Sequence, residues 1–142
     1  MDLDKQVYPI EFRLDPASGV PPYLQLVHQV EHALRLGYLA PGDQLPKVKD
    51  VVATLAINPN TVLKAYGELE NKALVEGRPG QGTFVVGEPE EMVPRRELRS
   101  LRAGLARWLA QASAAGLDEE GIRALISSVM HERARGREGR IA

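Results

Sequence analysis

The 142 residues carry 18 Lys and Arg against 19 Asp and Glu, a formal net charge of −1, with one Trp and no Cys. That length holds one ordinary domain or a small domain with an appendage, and 44% hydrophobic with 26% charged residues describes a folded globular chain. The missing cysteines exclude disulfides, thiolate nucleophiles and Cys-ligated metal centres together, and near-zero net charge counts, at whole-chain level, against a nucleic-acid partner.

The charge is unevenly distributed. Residues 1–86 hold all five lysines and three arginines against ten acids, whereas residues 87–142 hold ten arginines, no lysine and nine acids. The composition changes at the Pro- and Glu-rich stretch 87–94, which reads as a linker between two modules. Within the first module, 1–86, the alternation Ile10-Glu11-Phe12-Arg13-Leu14 predicts a short strand over 10–14. Turn residues follow, and then Tyr23, Leu26, Val27, Val30 and Leu34 recur at helical spacing, so Pro22–Leu36 is an amphipathic helix stopped by Gly37.

After Pro46 the stripe Val48, Val51, Val52 and Leu55 predicts a short helix. A break of a few residues ends at Asn58-Pro59, an N-cap followed by a first-turn proline, and the next helix runs from about Pro59 to Lys72 with Val62, Ala65, Tyr66 and Leu69 inward. Two short helices around so brief a turn form a helix-turn-helix. The runs Leu74–Arg78 and Thr83–Val86 flank Pro79-Gly80-Gln81-Gly82 and predict a hairpin, which makes the motif winged.

The second module, 95–135, reads as two helices. Leu98, Leu101, Leu105, Trp108, Leu109 and Ala112 form one apolar stripe, closed by Gly116. Asp118 suits an N-cap, and Ile122, Leu125, Ile126, Val129 and Met130 form the second stripe. A hairpin of this size cannot cover both stripes by itself, so pairing two copies into a four-helix arrangement is the expected solution. Residues 136–142 read as a frayed tail. The fold class is thus mainly α with a small β wing: a winged helix-turn-helix plus a C-terminal two-helix dimerisation hairpin.

With Val62, Ala65, Tyr66 and Leu69 inward, Asn60, Thr61 and Lys64 must face outward beside Asn58. Those residue types suit a major groove: Asn pairs with adenine, Thr touches a thymine methyl, and Lys reaches guanine or phosphate. Alternatively they are only a capped helix start with a solvated face. Lys47 and Lys49 open the preceding helix, where cations oppose the macrodipole unless phosphates lie nearby. In the wing, Arg78, Gly80 and Gln81 suit close approach to a minor groove, although any hairpin turn also needs glycine.

His28-Gln29-Val30-Glu31-His32 matches an inverted zinc-protease motif, but its histidines fall opposite the apolar stripe on a face expected to be solvated, and no third ligand is evident. No nucleophile–base set, phosphate loop or dinucleotide fingerprint occurs, so no catalysis, metal or cofactor is expected. No apolar run approaches ~18 residues, and Met1-Asp2-Leu3-Asp4 is acidic where a signal peptide is basic, so a cytoplasmic protein away from membranes is expected.

Taken together, Pro22-Tyr23-Leu24-Gln25-Leu26, Leu39-Ala40-Pro41-Gly42-Asp43-Gln44-Leu45-Pro46, Asn58-Pro59-Asn60-Thr61-Val62, Tyr66, Glu68-Leu69-Glu70 and Gly80-Gln81-Gly82-Thr83-Phe84-Val85 resemble the DNA-binding domain of the GntR family of bacterial transcription regulators. The length after residue 86 fits the short YtrA-type branch, with its two-helix dimerisation tail. The resemblance implies a homodimeric repressor on a pseudo-palindromic operator, commonly of its own operon and often of transport genes, with scope for release by a small effector. Two helices offer little room for a ligand of ~300 Å3 or more, so an effector site is expected at a dimer interface or between domains. The alternative is a winged-helix protein–protein interaction module without DNA binding.

The chain departs from the family at four places. Lys47 replaces a capping Ser, Lys49 an Arg, Gln81 a wing Arg, and Ala73 a helix-ending Gly. Lys keeps the charge of Arg but loses its bidentate fork, and minor-groove contact then rests on Arg78.

Overall fold

In a computed structural model, residues 7–141 are described; the acidic Met1–Asp4 stretch lies outside them, as does Ala142. The order is α1 (Pro22–Arg35), α2 (Val48–Leu55), α3 (Pro59–Asn71), β1 (Val75–Arg78), β2 (Gly82–Val85), α4 (Arg95–Ala114) and α5 (Glu119–Ile141). The chain divides into two compact units, Met1–Arg95 and Arg96–Ala142.

Three helices and a hairpin enclose the core of the first unit. From α1 come Leu26, Val27, Val30 and Leu34, from α3 Val62, Ala65, Tyr66 and Leu69, with Val51, Leu74, Val75 and Val85 completing the enclosure. The helical period predicted the α3 contribution residue for residue. In α2 only Val51 is fully buried, while Val48, Val52 and Leu55 lie half-covered against the core. The Tyr66 hydroxyl donates to the Pro46 carbonyl at 2.5 Å, tying α3 to the segment before α2. Burial holds that phenol protonated far above its usual range.

β1 and β2 pair antiparallel, with Val75 opposite Val85 and Arg78 opposite Gly82. The loop before α2 adds a third rung: Leu45 N donates to Thr83 O and Val85 N to Asp43 O, each at 2.8 Å.

Two sequence expectations need correction. Residues 10–14 form no strand. Phe12 is buried and Ile10 and Leu14 pack against the core, which explains the alternation, but the backbone pairs with a side chain. Arg13 N donates to Gln29 Oε1 (2.9 Å) and Gln29 Nε2 donates to Arg13 O (2.6 Å), so one amide takes the place of a neighbouring strand. Residues 136–141, expected to fray, continue α5. Gly136 and Gly139 each cost about 1 kcal/mol in a helix, but Ala, Arg and Glu around them are good helix formers.

The second unit is α4, a turn at Gly116, and α5, whose start is capped by Asp118 Oδ1 accepting from Gly121 N at 2.8 Å. Burial gathers near the turn, where Ala112 is buried and Trp108, Leu109 and Ile122 are half-covered. Farther along the helices, Leu101, Leu105, Leu125, Ile126, Val129 and Met130 are exposed, and Leu98 is half-covered.

Candidate nucleic-acid interface

α3 begins as its sequence dictates. Asn58 is extended (φ −64°, ψ 134°), and its Oδ1 accepts from Asn60 N at 2.8 Å, while Pro59 fills the first turn where no N–H partner is needed. Burying Val62, Ala65, Tyr66 and Leu69 turns Asn58, Asn60 and Lys64 outward and leaves Thr61 half-exposed. All four lie at the N-cap or in the first two turns of the helix, so a single groove can meet them together.

Two neighbours escaped the sequence reading. Leu63, 55% exposed, stands on the outer face between Val62 and Lys64, an apolar side chain that suits a thymine methyl. The same period that turned Val62 inward turns Leu63 out, so the signal was there. Tyr23, assigned to the buried stripe of α1, is half-exposed and holds Lys64, whose Nζ sits 4.0 Å from its ring centroid. That cation–π contact narrows the conformers of a flexible side chain before any ligand arrives.

Lys47 occupies the N-cap of α2 and makes no capping hydrogen bond, as expected once Ser is lost. Lys49 is exposed two residues further on, in the first turn, where a cation opposes the macrodipole. A shallow groove of about 560 Å3 is lined by Lys47 and by wing residues 77–83, bringing Lys47 together with Arg78, Gly80 and Gln81.

The wing tip is held from below. Gln44 Nε2 donates to Gln81 O at 3.1 Å. Gly80 (φ +74°) and Gly82 (φ +132°) adopt backbone angles that L side chains avoid, and a Cβ on Gly82 would press on the Gln44 amide at 2.5 Å. Arg78 lies over Phe84, its guanidinium carbon 4.5 Å from the ring centroid, with Glu76 Oε1 3.7 Å from Nε. The ring orients the guanidinium, and Glu76 offsets part of its charge.

His28 and His32 of the zinc-protease motif are both exposed, with ring centroids 6.4 Å apart. Among the described residues no group of three or more His, Asp or Glu could hold a metal, and no helix is long and apolar enough to cross a membrane.

A helix-turn-helix with a polar outer face on its second helix, a wing beside it and cations at both places defines the class of helix-turn-helix transcription regulators. The family profile described as "Bacterial regulatory proteins, gntR family" matches residues 22–85. The "HTH-type transcriptional repressor YtrA" of Bacillus subtilis is 30% identical over 117 residues, 82% of this chain and 90% of that one. The "Uncharacterized HTH-type transcriptional regulator YhcF" of the same organism is 37% identical over 103 residues, 72% and 84% of the two chains. Among solved structures, a "Transcriptional Antiterminator from Listeria monocytogenes EGD-e" superposes with a TM-score of 0.53 at 25% identity, covering 86% of this chain and 91% of that one. The chain belongs to the GntR family, in the short form that YtrA represents. It is a DNA-binding transcription regulator and not an enzyme.

Proposed function

We propose that the protein is a cytoplasmic homodimeric repressor that reads a pseudo-palindromic operator. α3 enters the major groove with Asn58, Asn60, Thr61 and Lys64. The wing, with Arg78, Gly80 and Gln81, lies in or beside the minor groove, and Lys47 and Lys49 meet phosphates. The observation that carries the reading is the division of α3 into a buried face and an outward polar face at its capped start.

One winged helix reads too few base pairs for useful affinity, so two copies are needed, with half-sites about one helical turn apart. Residues 87–94 act as the linker, and the stripes Leu98, Leu101, Leu105, Trp108 and Leu109 of α4 and Ile122, Leu125, Ile126 and Val129 of α5 pair with those of a second copy. The exposure of Leu105 (53%) and Val129 (46%) supports this, since large apolar surface left open on one chain marks an interface. Repression is favoured by the similarity to YtrA, a transcriptional repressor.

Selection of duplexes from a random pool by the purified protein, repeated with Lys64→Ala, tests the reading. A palindromic consensus from the wild type, weakened in the variant, is expected. Random recovered sequences, unchanged by the substitution, would reject it in favour of a protein–protein interaction module.

A further inference from the structure

An effector was expected at a dimer interface or between domains, yet the winged unit itself contains a recess. Residues 8–12, which have no regular secondary structure, and the outer face of α2 enclose a cavity of about 440 Å3. That volume is in the ordinary range for small-molecule sites. Ile10, Phe12, Val51 and Leu55 give it an apolar lining. On the polar side the Tyr8 hydroxyl donates to Asp50 Oδ2 at 2.6 Å, so Asp50 is engaged within the protein and closes one wall. Glu11 also lines the cavity and is exposed.

Lys47 and Lys49 line the same cavity at the start of α2, where Lys47 itself supplies no side-chain cap. An apolar lining beside two ammonium groups at the start of a helix fits a molecule with an apolar body and an anionic head. We propose that this cavity binds a small amphiphilic organic anion, and that the bound ligand competes with DNA phosphates for Lys47 and Lys49. The competition rests on the DNA-binding reading above; occupancy of the cavity does not.

The probe is anilinonaphthalene sulfonate, an aromatic anion, titrated into the full-length protein and followed by fluorescence and amide chemical shifts. Shifts confined to residues 8–12 and 46–55 are expected. Ala53 and Thr54 line the cavity, are exposed, and stand outside the proposed DNA contacts. Ala53→Trp and Thr54→Trp should each fill the space and weaken the probe by about tenfold or more, with the shifts of Leu26 and Leu69 unchanged as a check on folding. Probe shifts confined to the stripes of α4 and α5, or probe affinity unchanged in both folded variants, would overturn the site.

A second arm adds the selected operator duplex. Bound duplex should raise the apparent dissociation constant of the probe. Bound duplex that leaves it unchanged would overturn the competition, whereas the absence of any duplex binding would sink the DNA reading, with the shift map still deciding the cavity.

Discussion

The two units of this chain solve the problem of apolar surface in opposite ways. The first closes on itself: Leu26, Leu34, Leu45, Leu69, Val27, Val30, Val62 and Val85 have less than 2% of their surface left. In the second, Ala112 alone is buried among the described residues, while Leu101 is 65% and Met130 60% exposed. Each fully buried Leu or Val contributes about 1.5–3 kcal/mol, so the winged unit carries its own stability and the tail has most of its apolar gain still to make. The winged unit is therefore built to stand alone, whereas the tail is the part that the proposed dimer would complete.

The largest effect should come from blocking that completion. Leu105→Asp with Val129→Asp, or truncation at Pro94, should yield a monomer by sedimentation equilibrium, with operator affinity lower by about 10²–10⁴-fold as the gain from linked half-sites is lost. Persistent dimers with unchanged operator affinity would break the contrast between the units. Next in size, Leu69→Ala removes a side chain with no exposed surface and should cost the winged unit about 2–5 kcal/mol in urea unfolding. Leu101→Ala, made in the monomeric double variant, should cost less than about 0.5 kcal/mol. Equal costs would mean that the tail is packed as tightly as the core.

A smaller effect is expected at Tyr66. Replacing it with Phe removes the bond to the Pro46 carbonyl and should cost about 0.5–1.5 kcal/mol at neutral pH. The folded protein, through burial, keeps this phenol protonated above its ordinary pKa of 10.0, whereas the unfolded chain releases the proton there. Its contribution is thus complete below about pH 10 and is lost as pH rises beyond it. Tyr66→Phe should make the alkaline fall in stability shallower by up to about 1.4 kcal/mol per pH unit. An alkaline profile identical to wild type would show that Tyr66 is not shielded.

These contrasts were partly legible in the residues themselves. α3 was readable down to its outward face, because its apolar spacing, its cap and its proline all agree. Residues 10–14 misled because alternation reports which side chains face a core, and says nothing of what pairs with the backbone; here Arg13 pairs with Gln29, sixteen residues away. The end of α5 misled because chain termini ordinarily fray, whereas helix-forming Ala, Arg and Glu carry this one on to Ile141. The hold of Tyr23 on Lys64, and the cavity between residues 8–12 and α2, join segments some forty residues apart. No local period carries such pairings.

The smallest effect lies in how the helices end. In the winged unit α2 closes on Ala56 at φ +53° and α3 is followed by Ala73 at φ +59°, both left-handed and both alanine. In the tail the turn after α4 uses Gly116 at φ +103°. A left-handed L-residue costs about 1–2 kcal/mol, and glycine returns about half of that as extra freedom of the unfolded chain. Both alanines are exposed, so their methyl groups add little packing. Ala73→Gly and Ala56→Gly should therefore each stabilise the winged unit by about 0.5–1 kcal/mol, read as a shift in urea midpoint at constant slope. Gly116→Ala should do the reverse in the tail, purely through backbone strain, since a Cβ there meets nothing within 4 Å. If the alanine substitutions left stability unchanged while Gly116→Ala lowered it, the winged unit would have relaxed its helix ends by packing. The self-sufficient unit would then carry no strain at these turns, and the contrast with the tail would extend from cores to caps.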